Sequence, residues 1–208
     1  MLEVGNKPLL ETILETLIGY DFQRFFITVN YKAEMVMDRI GDGSRWGVEV
    51  GYIEEDKRLG TAGALAHLPE APTAPLLVMN GDLLTNLNFR HLLTYHVEQG
   101  CKATMCVREY ATQMPYGVVD VENQRVTAIK EKPVKRDFIN AGIYVLEPEV
   151  VANLPRDTAL DMTSVFETIV ADGGDVAVFP IREFWLDIGK HEDYASADGH
   201  YDRLFKQP

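Results

Sequence analysis

Leu76-Leu77-Val78-Met79-Asn80-Gly81-Asp82 carries the strongest fold signal in the chain. Four consecutive apolar residues closing on a Gly-Asp pair predict a strand covered on both faces, as in the parallel sheets of α/β proteins. Ligands of open α/β sheets gather beyond the carboxyl ends of the strands, so Asp82 is expected at a pocket rim with its carboxylate free. A hard oxygen ligand there suits Mg²⁺ carrying phosphates. The same residues also describe a strand that ends in a turn capped by Asp82, and the segment alone does not separate the two readings.

Toward the amino end, helices and strands alternate. Pro8 stands where a first helical residue is tolerated, and Leu9, Leu10, Ile13, Leu14, Leu17 and Ile18 keep helical spacing up to Gly19, which predicts a helix over 8–19. Arg24 to Asn30 reads as a strand, Ala33 to Ile40 as a helix, and Val48 to Ile53 as a second strand after the turn residues 41–44. Such alternation predicts right-handed crossovers in a mostly parallel sheet. Leu59-Gly60-Thr61-Ala62-Gly63-Ala64 then sets two glycines at the mouth of a helix running to about Leu68. Glycine there would let a planar ligand approach backbone N–H and C=O groups that can read a base edge, although a tight helix start with no ligand needs the same residues.

Toward the carboxyl end, Asn88 is placed to cap a helix over Phe89 to Gln99, and 103–109 forms the next strand. Residues 117–130 alternate apolar with polar around a turn at 122–124, as in a half-exposed hairpin, and end at Glu131-Lys132-Pro133. A carboxylate beside an ammonium could bind a sugar hydroxyl and a phosphate, while a solvated charge pair is the plainer account. Ile139 to Leu146 reads as a buried strand, and Pro148 to Leu154 and Thr163 to Ala171 as helices, the second opened by a Ser164-x-x-Glu167 capping pattern. A strand over Asp175 to Ile181 leads to Trp185-Leu186-Asp187-Ile188-Gly189, where a second carboxylate meets a glycine at a strand end. A last helix is expected over about 192–205.

Composition bounds the partners. The 208 residues are 46% hydrophobic, enough for the core of one domain, and carry a formal charge of -12. That charge speaks against nucleic acid or an anionic membrane, both of which need a basic footprint, and means that phosphates would have to be handled with a cation. Cys101 and Cys106 would point to opposite faces of one strand, which argues against a disulfide or a metal pair and fits a reducing cytoplasm. His91 and His96, five apart, do not share a helical face and complete no ligand set. No run approaches the ~20 apolar residues of a membrane span, and residues 1–20 carry acids where a signal peptide is basic and then apolar, so the chain is expected to be soluble and intracellular.

Taken together, Val4-Gly5-Asn6-Lys7-Pro8-Leu9-Leu10-Glu11, Gly41-Asp42-Gly43 with Trp46-Gly47-Val48, Leu59 to Gly63, Asn80-Gly81-Asp82, Tyr116-Gly117, Glu131-Lys132-Pro133, Asn140-Ala141-Gly142 and Trp185 to Gly189 resemble the sugar-1-phosphate nucleotidyltransferases. These are also called nucleoside-diphosphate-sugar pyrophosphorylases, and the likeness is to the mannose-1-phosphate guanylyltransferase type. The resemblance covers essentially the whole chain and implies a three-layer αβα Rossmann-like nucleotide-diphospho-sugar transferase fold. Its sheet would be mostly parallel but mixed.

On that resemblance, Leu59, Gly60, Thr61 and Gly63 look like the base-reading segment, and Asn80 and Gly81 like further substrate contacts. Asp82 and Asp187 look like the paired Mg²⁺ ligands. Glu131 would accept a sugar hydroxyl, Lys132 would contact the sugar phosphate as a catalytic cation, and Gly117 and Asn140 would line the sugar pocket. The implied substrates are a nucleoside triphosphate, with GTP favoured from Leu59 to Gly63, and a sugar 1-phosphate. The sequence departs from the family at one place: the first strand, with its glycine-rich loop, arginine and lysine, has no counterpart before Met1-Leu2. Residues 1–208 are therefore expected to form an N-terminally incomplete catalytic domain of a longer polypeptide, or else an inactive nucleotide- or sugar-phosphate-binding homologue, or an assembly in which a second chain completes the sheet. Loss of a central strand would also favour homo-oligomers. A nucleotide-sugar-dependent glycosyltransferase is disfavoured because Asp82-Leu83-Leu84 lacks the second carboxylate of an Asp-x-Asp pair.

Overall fold

The computed structural model describes residues 2–189, so the helix expected over 192–205 lies outside the described residues. Its strands are β1 (Glu3–Val4), β2 (Lys7–Pro8), β3 (Arg24–Val29), β4 (Glu49–Glu54), β5 (Leu76–Met79), β6 (Leu83–Thr85), β7 (Ala103–Gln113), β8 (Val118–Glu122), β9 (Arg125–Lys130), β10 (Val134–Leu146), β11 (Val176–Pro180) and β12 (Trp185–Asp187). The helices are α1 (Leu9–Ile18), α2 (Ala33–Ile40), α3 (Phe89–Gln99), α4 (Pro148–Ala152) and α5 (Met162–Ala171).

Period-two alternation along β10 divides the core into two layers. Ile143 and Val145 point to one face, where Leu9, Ile13, Leu14 and Leu17 of α1 and Phe89 and Leu92 of α3 bury them. Tyr144 and Leu146 point to the other, against Val150 and Val151 of α4 and Met162, Val165 and Phe166 of α5. β5 splits in the same way, with Leu77 and Met79 on the first face and Leu76 and Val78 on the second. A sheet apolar on both faces must be covered on both, and helices on either side give the three-layer α/β architecture. Each fully buried aliphatic side chain in these layers contributes about 1.5–3 kcal/mol relative to exposure.

The main sheet runs β11-β7-β10-β5. β7 and β11 are parallel, and β10 runs antiparallel to both β7 and β5, so β5, β7 and β11 share one direction in a mixed sheet. A second, parallel pair joins β3 to β4. β5 does not have the expected parallel neighbour. Among the described residues it pairs only with β10, and all four of its residues are half-buried because the opposite edge faces a cavity.

Local sequence accounts for most element ends. Asn88 caps α3 by accepting a hydrogen bond from His91 N–H, and Gly100 closes that helix in the left-handed conformation. The hairpin β8–β9 turns at Asn123 and Gln124, both at positive φ. The expected Ser164-x-x-Glu167 box is not the start of α5. That helix begins at Met162 after Asp161, whose carbonyl accepts from Ser164 N–H, while its carboxylate is used elsewhere. The segment after Gly63 is a 3₁₀ turn, Gly63–His67, rather than a longer helix. Both cysteines are free and buried.

Candidate active site

β5 ends at Met79, as its sequence predicts, and the next three residues turn the chain into β6, which pairs antiparallel with β12. That pairing sets Asp187 opposite Leu83, directly beside Asp82, and Ile188 N–H donates to the Asp82 carbonyl at 2.9 Å. The two carboxylates, far apart in sequence, converge on Gly189. A Cβ built there would lie 3.0 Å from Asp187 Oδ1 and 3.5 Å from Asp82 Oδ2. Gly189 thus holds open the space between two acids, and its N–H donates to Asp187 Oδ1 at 2.9 Å. Burial, then the neighbouring Asp187 charge, pushes the Asp82 carboxyl above its usual range. Two oxygen donors whose mutual repulsion a cation would relieve are a donor set of the kind Mg²⁺ takes when phosphates complete its shell.

The third wall is a bulge in β10. Its register against β7 shifts between Asn140 and Tyr144, and Gly142 adopts φ +70°. Asn80 packs onto that glycine so closely that a Cβ on Gly142 would come within 2.7 Å of Asn80 Nδ2, and Asn80 N–H donates to the Gly142 carbonyl at 2.9 Å. Asn140 holds the bulge with both ends of its amide. Its Oδ1 accepts from Gly142 N–H at 3.0 Å, and its Nδ2 donates to the Tyr144 hydroxyl at 2.6 Å. Trp185, at the start of the strand that ends in Asp187, donates its indole N–H to the Ala141 carbonyl at 2.9 Å and so ties the acid-bearing strand to the bulge.

Gly60 to Gly63 face the same cavity, of about 720 Å³, through Gly60 and Thr61, alongside Asn80, Gly81 and Asp82. Their small size has a local cause. A Cβ on Gly60 would meet the Leu160 carbonyl at 2.6 Å, and one on Gly63 the Thr158 carbonyl at 2.6 Å. Backbone N–H groups expected to be open are occupied. Thr61 N–H donates to Asp161 Oδ1, while Ala62 and Gly63 N–H both donate to the Leu160 carbonyl. Thr61 Oγ1 in turn accepts from Met162 N–H at 2.8 Å. Leu59 is a core residue, 5% exposed. The segment is therefore a pre-formed ledge clamped by residues 158–162.

Gly117, Glu131 and Lys132 form a separate group at the base of the β8–β9 hairpin. Glu131 Oε2 lies 3.0 Å from the Cβ position of Gly117, and Lys132 takes φ +45° with its carbonyl accepting from Gln113. Both charged residues are exposed, and among the described residues neither forms an ion pair. The structure thus brings Asp82, Asp187, Asn80, Gly81 and Asn140 together, sets Gly60 and Thr61 along the same cavity as Asn80, Gly81 and Asp82, and keeps Glu131, Lys132 and Gly117 together on the arm. Sequence reading gave no such supporting role to Asp161, Trp185, Tyr144 or Asn86, whose Oδ1 accepts from Phe184 N–H at the start of β12. Each acts through a partner four to 100 residues away, with no local motif to mark it.

Comparison with known proteins bears on this geometry. A family profile described as nucleotidyl transferase matches residues 1–203. In Oryza sativa subsp. japonica, the protein named "Probable mannose-1-phosphate guanylyltransferase 1" is 32% identical over 203 residues, covering 93% of this chain and 56% of its own length. A "UTP--glucose-1-phosphate uridylyltransferase" of Synechocystis sp. is 30% identical over 217 residues, covering 95% of this chain and 56% of its own. The chain therefore spans little more than half the length of these relatives. Among solved structures, HddC from Yersinia pseudotuberculosis complexed with GMP-PN superposes with a TM-score of 0.73 at 23% identity, covering 97% of this chain and 88% of that one, a likeness of fold.

Proposed function

Because the chain belongs to the nucleotidyl transferase family, we propose that it forms the catalytic core of a sugar-1-phosphate nucleotidyltransferase acting on GTP. In this reaction a phosphate oxygen of the sugar 1-phosphate forms a bond to the α-phosphorus of the nucleoside triphosphate. The α–β bridging bond breaks, and its electron pair leaves with pyrophosphate. Such a displacement needs alignment and charge neutralisation more than a protein nucleophile. The observation that carries the reading is the convergence of Asp82 and Asp187 on the open space at Gly189.

Asp82 and Asp187 would hold Mg²⁺, which when bound supplies positive charge against the phosphates and stabilises the leaving pyrophosphate. The chain's own residues do the rest. Gly60 and Thr61 form the ledge on which the base lies, kept rigid by Asp161. Asn80, locked to Gly142, sets the depth of the pocket. From the arm, Glu131 would accept a sugar hydroxyl and Lys132 would contact the sugar phosphate. GTP is favoured by the likeness of Leu59 to Gly63 and by the guanylyltransferase relative, whereas the uridylyltransferase relative leaves the base to experiment. The acidic composition and buried free thiols support a cytoplasmic setting, and no helix among the described residues is long and apolar enough to cross a membrane.

Pyrophosphate release tests the proposal. The chain, within its longest natural polypeptide, is given GTP, UTP or dTTP with mannose 1-phosphate or glucose 1-phosphate and Mg²⁺. Release is expected with GTP and is expected to fall by orders of magnitude in Asp82→Asn and Asp187→Asn. Nucleotide binding without release from any pair would instead favour a binding homologue.

A further inference from the structure

Asp187 is delivered by a strap, residues 181–184, that joins β11 to β12. β11 ends at Pro180, paired with Val107 of β7, and Ile181 N–H still donates to the Val107 carbonyl. Arg108 of β7 then donates to the Ile181 and Glu183 carbonyls, and Trp185 reaches Ala141 of β10. Only after passing these two strands does the chain pair with β6.

That pairing is short. Trp185, Leu186 and Asp187 face Thr85, Leu84 and Leu83, and among the described residues neither strand has another partner. A two-stranded ladder is marginal on its own, yet its register decides what happens at the acid end. A slip of one residue would turn Asp187 to the face opposite Asp82, and a slip of two would carry it about 7 Å along β6. The two acids also repel each other at Gly189 until a cation joins them, which favours opening from that end.

The other end is gripped. Phe184 and Asn86 stand in register with the three pairs, and a side chain makes half of their exchange. Asn86 N–H donates to the Phe184 carbonyl at 3.3 Å, while Phe184 N–H donates to Asn86 Oδ1 at 2.9 Å. Thr85 adds a second donor, its Oγ1 reaching the Phe184 carbonyl at 2.7 Å. Thr85 is buried, and its hydroxyl is fixed in turn by accepting from Leu87 N–H at 3.2 Å. Two neighbouring residues of the β6 segment thus capture both backbone groups of one residue of the strap. Successive residues of an extended chain present those groups to opposite sides, so the grip admits one arrival point, and Arg108 holds the two carbonyls just ahead of it.

We propose that Asn86 and Thr85 are positioning residues of the acid pair: by closing the β6–β12 ladder on Phe184 they fix the register that holds Asp187 against Asp82. The proposal rests on the reading of Asp82 and Asp187 as Mg²⁺ ligands. Both residues act through the strand, from the end opposite the acids.

Mg²⁺ titration followed by thermal unfolding, on the chain within its longest natural polypeptide, tests this. Asn86 is exposed, so its truncation leaves the core intact. Asn86→Ala should raise the Mg²⁺ concentration at half of the metal-induced Tm rise about tenfold, with Thr85→Val acting in the same direction. Asn86→Asp, which keeps an Oδ1 acceptor, should stay within about twofold of wild type. In chelator the Ile188 amide, bonded to the Asp82 carbonyl at the far end of the ladder, should exchange about tenfold faster in Asn86→Ala than in wild type, and Mg²⁺ should slow it. A tie of purely local consequence would lower Tm while leaving the Mg²⁺ midpoint and the Ile188 amide unchanged, and that result would overturn the proposal. Equal weakening of Mg²⁺ binding in Asn86→Asp and Asn86→Ala would overturn it too. A wild type with no Mg²⁺ response, or with one that survives Asp187→Asn, would overturn the metal pair and this proposal with it. A response lost in Asp187→Asn but unchanged in Asn86→Ala would overturn the positioning role alone.

Discussion

Replacing Asp82 by asparagine should make the metal-free chain more stable while destroying the proposed activity. The carboxylate oxygens of Asp82 and Asp187 lie 3.5 and 3.0 Å from one point, the Cβ position of Gly189. That geometry keeps the two oxygens within about 6.5 Å of each other, and two unit charges at about that upper limit repel by at least about 0.6 kcal/mol in water and about 2.5 kcal/mol at an effective dielectric constant near 20. At a rim in contact with solvent the lower part of that range applies, so relief of about 1 kcal/mol is expected, or about 2–4 °C in Tm for a chain of this size.

The pH dependence follows from the raised carboxyl of Asp82. Between its ordinary value in the unfolded chain and its higher value in the fold, the native state binds more protons. Stability of the wild type therefore falls as pH rises through that window and stays lower above it. The Asp82→Asn variant carries no such penalty, so the gap between the two proteins should be present at pH 7 and shrink toward zero as Asp82 is protonated in acid. Thermal unfolding in chelator from about pH 3 to about pH 8 measures it, and adding Mg²⁺ should then stabilise the wild type and not the variant. A variant less stable than wild type at pH 7 in chelator, or a gap that does not change with pH, would refute the reasoning.

Gly189→Ala places a methyl group between the two acids, and turnover with Mg²⁺ should drop about 10- to 100-fold with little change in Tm; unaltered rates would remove the metal-pair geometry. Gly142→Ala forces a side chain into φ +70° and against Asn80 Nδ2, at a cost of about 1–2 kcal/mol before any displacement of Asn80, so a chemical denaturation midpoint equal to wild type would contradict the bulge packing. Burial, with Glu183 adding to it, pushes the Cys106 thiol up to about 12, so thiolate at pH 8 is about one part in ten thousand. Mass spectrometry should find Cys106 unmodified by iodoacetamide in the native chain and fully modified in urea; rapid native labelling would mean that the core under β7 is open.

Much of this protein is written in local pattern. The spacing of Leu9, Ile13, Leu14 and Leu17, Asn88 ahead of α3, the Asn123-Gln124 turn and the apolar run of β5 each report their element, because helix and strand periods and cap chemistry act within a few residues. Asp82 and Asp187 could each be placed at a strand end for the same reason. Residue order alone was therefore enough for most of the elements, their succession and the acids that end two of them.

Neighbourhood was decided elsewhere. That β12 lies against β6, so that Asp187 reaches Asp82, depends on a ladder between segments about a hundred residues apart. That Gly60 and Gly63 are small to admit Leu160 and Thr158, and that Thr61 N–H is held by Asp161, depends on contacts of similar span. β5 was legible as a strand, but its antiparallel partner and the edge that has no partner among the described residues were not, since an apolar run records that both faces are covered and says nothing of what lies on either side. Side-chain pattern encodes faces; backbone hydrogen bonding, blind to residue type, sets edges, and which edge meets which is fixed by how the folded layers come together.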